Sequence, residues 1–269
     1  MKFSLMAFCL LFFLPFSSVG QNELGLQFGL GNYYGDLAPR IVPSESHLAA
    51  GILYRYNLTS KWKIRATAVT TTISGADRNN NLDEFSNLSF RTRISELAVA
   101  FEYNFVPFVP GSSSLTISPY VFAGIAGFHF NPQALYQGTY FNLQSLGTEG
   151  QNIPGSNLSP YSKINMAVPF GIGFKKTVSD NMVFGIELGL RATLTDYLDD
   201  VSSYYPDFTE LAATTDGDLA VRLSDRRPEV DLEPSVSGTL RGDPTNKDFY
   251  GTIMFTLTKK LGTSPCYAF

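Results

Sequence analysis

Eight charged residues sit at alternating positions inside otherwise apolar stretches: Arg55, Lys63, Arg65, Glu96, Glu102, Lys175, Glu187 and Arg191. The alternation matters because a β-strand sends successive side chains to opposite faces. In Met182–Leu194 every even position is apolar (Met182, Phe184, Ile186, Leu188, Leu190, Ala192, Leu194). The odd positions include Gly185, Glu187, Gly189, Arg191 and Thr193. In a soluble sandwich the apolar face would be the core. Here the pattern reads as an apolar face toward lipid and a charged face toward the interior of a closed barrel. Enclosed charges must be paired or hydrogen-bonded. The eight therefore read as a mutually neutralising plug across the lumen. The alternative chemistry is an ion path lined by the same charges. Side chains fill the interior of a barrel this narrow, which favours the plug.

Little else has the residue types and spacing that catalysis needs. His47 and His129 are the only histidines. A rim hydrolase or acyltransferase would need a nucleophile or acid within hydrogen-bond reach of one of them. Asp36, Asp196, Asp199 and Asp200 could approach a rim, but no motif joins them to a histidine. Gly-x-Ser-x-Gly, His-Glu-x-x-His and P-loop patterns do not occur. The expectation is a non-enzymatic chain without a cofactor, its histidines being polar rim residues. Asp77–Glu84 alternates oxygen ligands as a calcium loop does. However, Leu82 stands where an EF-hand needs Gly, and Leu88 where it needs the bidentate acid. A solvated external loop is the expectation there, and likewise for the acidic run Thr195–Ser202. Arg241-Gly242-Asp243 matches an adhesion tripeptide, but Pro244 points to a turn closing the last loop onto a strand.

The elements that must position these residues follow from the same alternation. Residues 1–20 read as a secretory signal, with Lys2 at the start, an apolar run and a small-residue end. Cys9 lies within that run, which argues against a lipid anchor. Strands are predicted over Glu23–Tyr34, Leu48–Leu58, Trp62–Ser74, Phe90–Phe105, Leu115–Phe130, Ser162–Val178, Met182–Leu194 and Asp248–Lys259. Asn131–Tyr161 and Leu198–Lys247 read as long loops. Connections at Thr59, Pro107 and Ser179 are short, and those after Tyr34, Ser74, Phe130 and Thr195 are long. Such asymmetry belongs to outer-membrane barrels, with short periplasmic turns and long extracellular loops. A sheet with free edges would leave unpaired backbone groups in lipid, so closure is required. The predicted fold is all-β: a closed antiparallel transmembrane barrel of about eight strands over residues 21–260, with both termini periplasmic. An aromatic content of 14% suits interfacial girdles. A net charge of −4 argues against nucleic acid as partner.

Residues 261–269 read as a periplasmic tail. With Cys9 removed by processing, Cys266 is left without a partner in its own chain. A lone thiol in an oxidising compartment points to an intermolecular disulfide or a free thiol. Pro265, Cys266 and Tyr267 are accordingly the candidate contact with a periplasmic partner.

Several pieces carry a family resemblance. They are Gly31-Asn32-Tyr33-Tyr34-Gly35-Asp36-Leu37, Lys163–Gly173, Thr195-Asp196-Tyr197-Leu198-Asp199-Asp200-Val201-Ser202, and Arg241-Gly242-Asp243-Pro244 with Lys247-Asp248-Phe249-Tyr250. On these the chain resembles the PorG-like outer-membrane barrels of the type IX secretion system of Bacteroidota. The resemblance implies a non-enzymatic component associated with the periplasmic ring of the lipoprotein PorK and its partner PorN. That ring serves protein export and, in some species, gliding motility. It supplies no catalytic residue. The runner-up expectation is a surface-exposed small barrel acting through its extracellular loops, as an adhesin or resistance factor.

Overall fold

The computed structural model describes residues 22–79, 86–110 and 117–261. The signal segment, with Cys9, and the tail residues Pro265, Cys266 and Tyr267 lie outside the described residues. The alternating segments form β1 (Asn22–Tyr34), β2 (His47–Asn57), β3 (Trp62–Ala76), β4 (Ser89–Asn104), β5 (Ile117–Tyr136), β6 (Thr139–Asn142), β7 (Ile164–Ser179), β8 (Met182–Thr193) and β9 (Phe249–Leu261). Every pairing is antiparallel. β1 pairs with β9 from Asn22 opposite Leu261 to Tyr34 opposite Phe249, and β4 pairs with β5. Apart from β6, which extends β5 alone, eight strands close into a barrel. Closure leaves no barrel strand with an unpaired edge.

The faces follow the period of two. Leu26, Phe28, Ile52, Leu97, Phe101, Ile172, Phe174 and Ile186 point outward and are exposed, whereas all eight predicted lumen charges are buried. The distribution is the inverse of a water-soluble barrel. Along β1 the outward run Leu24–Tyr34 rises about 25 Å at a strand tilt near 40°. Aromatic pairs sit toward the strand ends. Trp62 packs on Tyr103 at 4.8 Å between ring centroids, and Tyr34 on Phe249 at 6.5 Å.

Asn22 and Leu261 emerge at one end of the barrel, the end that also carries the short turns at 58–61 and 180–181. The connections 35–46, 137–163 and 194–248 lie at the other end, together with the described residues 77–79 and 86–88. Three expectations need correction. Leu261 is the last residue of β9 and not the first of a tail. Asn131–Tyr161 is not simply a loop: β5 runs on to Tyr136 and folds back as β6. Gln137 and Gly138 both take positive φ there, the backbone twist that a two-residue hairpin turn requires. Leu198–Lys247 is also structured, with α2 (Phe208–Ala212) and α3 (Gly217–Ser224). Together with α1 (Leu143–Leu146) and β5, α2 and α3 build a small core of their own from Ala134, Leu143, Leu146, Leu211, Ala220 and Leu223.

Candidate functional site

Two buried polar assemblies fill the barrel, separated by an apolar layer. The first occupies the half nearer the short turns. Glu102, on β4, lies at its centre. It accepts a hydrogen bond from Arg55 Nε at 2.8 Å and one from the Lys175 ammonium, and Arg65 approaches to 3.7 Å. Glu187 receives both Arg65 nitrogens at 2.9 Å, the Tyr120 hydroxyl at 2.8 Å and the Gln27 amide at 2.9 Å. The forked Arg65 contact is the strong bidentate form of an ion pair. Nearer the long loops, Arg191 reaches the Glu96 carboxylate at 3.1 and 3.2 Å. Tyr250 donates to the same carboxylate at 2.6 Å. The structure thus brings Arg55, Lys63, Arg65, Glu96, Glu102, Lys175, Glu187 and Arg191 together inside the lumen.

One charged member of this network is absent from the eight residues picked out by sequence. Glu23 is fully buried and faces Arg55 and Lys63, each at 3.5 Å, while accepting from Thr258 Oγ1 at 2.8 Å. Its signal was present, because Glu23 shares the phase of Gly25 and Gln27 on β1. With it, the five buried cations face four carboxylates rather than three. Phe108 closes the end of this assembly nearest the short turns. Its ring is fully buried beneath the Lys63 and Lys175 ammonium groups, at 5.6 and 4.9 Å. Glycine makes room for the aromatic lining on the neighbouring strand: a side chain at Gly173 would collide with the ring of its cross-strand partner Tyr120. Chemically the assembly is a filled, cross-braced lumen.

Above it lies an apolar layer that includes Ile73, Phe90, Ile94, Phe128 and Phe130. Leu37, Leu88, Leu198 and Val201 descend into this layer from the long connections, so the loops are folded down onto the barrel mouth.

The second assembly stitches those loops to the barrel. The Tyr33 hydroxyl lies 2.7 Å from Asp199 Oδ2 and 2.6 Å from Asp248 Oδ1. A phenol has one proton to donate. One of the two carboxyls must therefore carry a proton and donate to the phenol oxygen. Burial pushes Asp248 up to about 8 and Asp199 well above the ordinary carboxylate range. Asp248 Oδ2 also accepts from the Leu198 backbone N–H at 2.8 Å, and Thr92 Oγ1 donates to the Leu198 carbonyl at 2.6 Å. Asp199 Oδ1 accepts from Val201 N–H at 2.9 Å. Asp200 follows at a φ of +68°, a conformation that Asp tolerates better than most residues. Its carboxylate binds the Thr148 hydroxyl and the Tyr161 hydroxyl, the latter at 2.6 Å. Burial raises Asp200 to about 6 against the opposing pull of Arg241.

The Arg241 side chain is itself buried. It contacts Glu149 at 3.1 Å and donates to the Ser224 carbonyl at 3.1 Å and to the Asp200 carbonyl. Glu149 in turn accepts from the Ser202 and Ser203 backbone N–H groups at 2.8 and 3.0 Å. Asp36 Oδ2 accepts from Asp243 N–H at 2.8 Å. The tripeptide at 241–243 is therefore a clasp with its arginine turned inward, and it does not present that side chain to a partner. The acidic run likewise departs from expectation. Asp196, Asp199 and Asp200 are buried and hydrogen-bonded rather than solvated, because the loops fold over them.

The histidines stay apart from these acids. His47 bonds Ser74 Oγ at 2.8 Å, and His129 is exposed on the outer wall. Asp77 is buried, and its carboxylate accepts from Leu88 N–H at 3.1 Å and from the Ser86 hydroxyl. Residues 80–85 of the calcium-like stretch lie outside the described residues. Among the described residues, no group of three or more His, Cys, Asp or Glu is arranged to hold a metal ion.

No curated protein matches the sequence. Similar folds occur among solved outer-membrane proteins at low identity. OprG of Pseudomonas aeruginosa matches at 10% identity and a TM-score of 0.45, over 91% of this chain and 97% of that one. Ail, the attachment invasion locus protein of Yersinia pestis, matches at 10% and 0.42, over 90% and 99%. Neisserial surface protein A matches at 9% and 0.41, over 91% and 98%. Residues 2–220 match the family described as Domain of unknown function (DUF6089), and the chain belongs to that family.

Proposed function

We propose that this protein is an outer-membrane barrel serving as a non-enzymatic docking component of the type IX secretion machinery. The observation that carries the reading is the combination of an apolar exterior with a lumen braced shut by charge pairs and Phe108. Such an exterior needs lipid, and a filled lumen leaves only the two ends of the barrel for function. The short-turn end, where β1 begins and β9 finishes, would face the periplasm. The tail with Pro265, Cys266 and Tyr267 would then reach a PorK- or PorN-type ring, either by tight contact or through a disulfide at Cys266. Further support comes from three of the resemblance pieces, 31–37, 195–202 and 241–250, which lie far apart in sequence and meet in one bonded mouth through Tyr33, Asp36, Asp199, Asp200, Arg241 and Asp248.

The test is a pull-down from cell envelopes on non-reducing gels, comparing wild type with Cys266→Ser. A secretion-ring protein released from the wild type by reductant, and missing from the variant, is the expected result. A freely labelled Cys266 with no ring component co-purifying would refute the docking role. The structured loop cap favours a second reading, in which the barrel acts through its extracellular face. Attachment or resistance lost on deleting 204–240, with secretion intact, would select that reading.

A further inference from the structure

The outer wall is not uniformly apolar. On β3, β4 and β5 the outward face turns polar toward the long-loop end. Cross-strand neighbours there form three rows: Thr70, Ser95 and His129; Thr72, Arg93 and Asn131; and Ser74, Arg91 and Gln133. These nine positions include two arginines and no carboxylate. At comparable positions on β7 and β8 the outward residues are Ile164, Met166 and Leu190, all apolar and exposed. The difference belongs to one side of the barrel and is not a general border of the apolar belt.

Arg93 is exposed and makes no ion pair or hydrogen bond among the described residues. Arg91 lies over the Tyr140 ring at 3.8 Å, so the β5–β6 hairpin walls the upper edge of the patch. The patch surrounds a depression of about 630 Å³. Directly below, along the same strands, runs an apolar groove of about 490 Å³. Ile52, Leu97 and Ile125 line it, and Ala66, Ala68 and Gly127 keep its floor low. Arg93 lies about 10 Å above Leu97 at the strand rise and tilt given above. An outward arginine is tolerated at headgroup depth but not at the membrane midplane.

We propose that this side of the barrel binds a phosphorylated glycolipid of the surrounding leaflet, with its phosphate on Arg91 and Arg93 and an acyl chain in the groove beneath. Guanidinium forks match phosphate oxygens, and His129, Asn131 and the hydroxyls add neutral partners. Polar head site and apolar tail site share one continuous track, which suits an amphiphile rather than a free anion. The inference rests on the barrel lying in a membrane and is independent of any role in secretion.

The experiment is native mass spectrometry of the full mature chain in dodecyl maltoside, with bisphosphorylated lipid A, its dephosphorylated form and inorganic phosphate as probes. Wild type should retain lipid A. Arg91→Gln with Arg93→Gln should weaken retention about 30-fold. Lys176→Gln, which removes an exposed outward charge at the opposite end of the wall, should leave retention unchanged. Equal retention of the dephosphorylated form, equal weakening by Lys176→Gln, or full displacement by millimolar inorganic phosphate would overturn the proposal. Heat-dependent gel mobility and insertion into vesicles are read alongside. A folded, inserted wild type that retains no lipid A overturns the lipid site and leaves the barrel reading standing; a chain that cannot insert removes both.

Discussion

Replacing Asp248 with Asn tests the proton held at the barrel mouth. In the closed cap, Asp248 and Asp199 share the single Tyr33 hydroxyl, so the pair keeps a proton. Burial raises Asp248 to about 8. Opening the cap returns that carboxyl to an ordinary value near 3.8. The folded pKa is the higher one, so this stability is fully present below about pH 4 and is lost as pH rises toward about 8. Each pH unit in that window costs the closed state about 1.4 kcal/mol. Going from about pH 5 to about pH 7 should therefore favour opening by on the order of 3 kcal/mol. Asn fixes the neutral form. Its amide can donate to the Tyr33 oxygen while Tyr33 donates to Asp199, and its carbonyl can still accept from Leu198 N–H. Hydrogen exchange of the amides of Leu198, Ser202 and Tyr205, corrected for intrinsic rate, reads the opening constant. Asp248→Asn should lower the pH slope by about one proton and should protect the cap better than wild type at about pH 8. Asp199, raised by burial, and Asp196 and Asp200, each raised to about 6 mainly by burial, leave a residual slope of the same sign. An unchanged slope, or faster exchange than wild type at about pH 8, would refute the shared-proton reasoning.

Within the lumen, Glu102→Gln leaves Arg55, Lys175 and Arg65 facing a neutral amide. Denaturant unfolding of the barrel in detergent should show a loss of about 3–5 kcal/mol, and a change below about 1 kcal/mol would contradict the central role of Glu102. Planar-bilayer recordings of the wild type should show no stable conductance steps. Large long-lived channels would overturn the plug and restore the ion path.

Much of the barrel was legible in the sequence because its signal is local. A period of two over Met182–Thr193 fixes which side chains share a face whatever the strand pairs with. The same alternation places Arg55, Lys63, Arg65, Glu96, Glu102, Lys175, Glu187 and Arg191 inside, and alternating connection lengths separate the two ends. Alternation says nothing about height within the barrel. Arg65 meets Glu187 from 122 residues away because closure and strand stagger bring the two to one level. Glu23 joins Arg55 and Lys63 only once β1 lies between β2 and β9. Polar loop residues carry no comparable local code. In sequence Asp199 reads as a solvated acid and Asp248 as the first residue of a strand, and tertiary folding made them a buried, proton-sharing pair by drawing Leu198 and Val201 into the apolar layer beneath. Sequence alone determined the faces of the wall. Closure decided which charges meet inside it, and loop burial decided which acids keep their protons, because both depend on contacts between residues far apart in the chain.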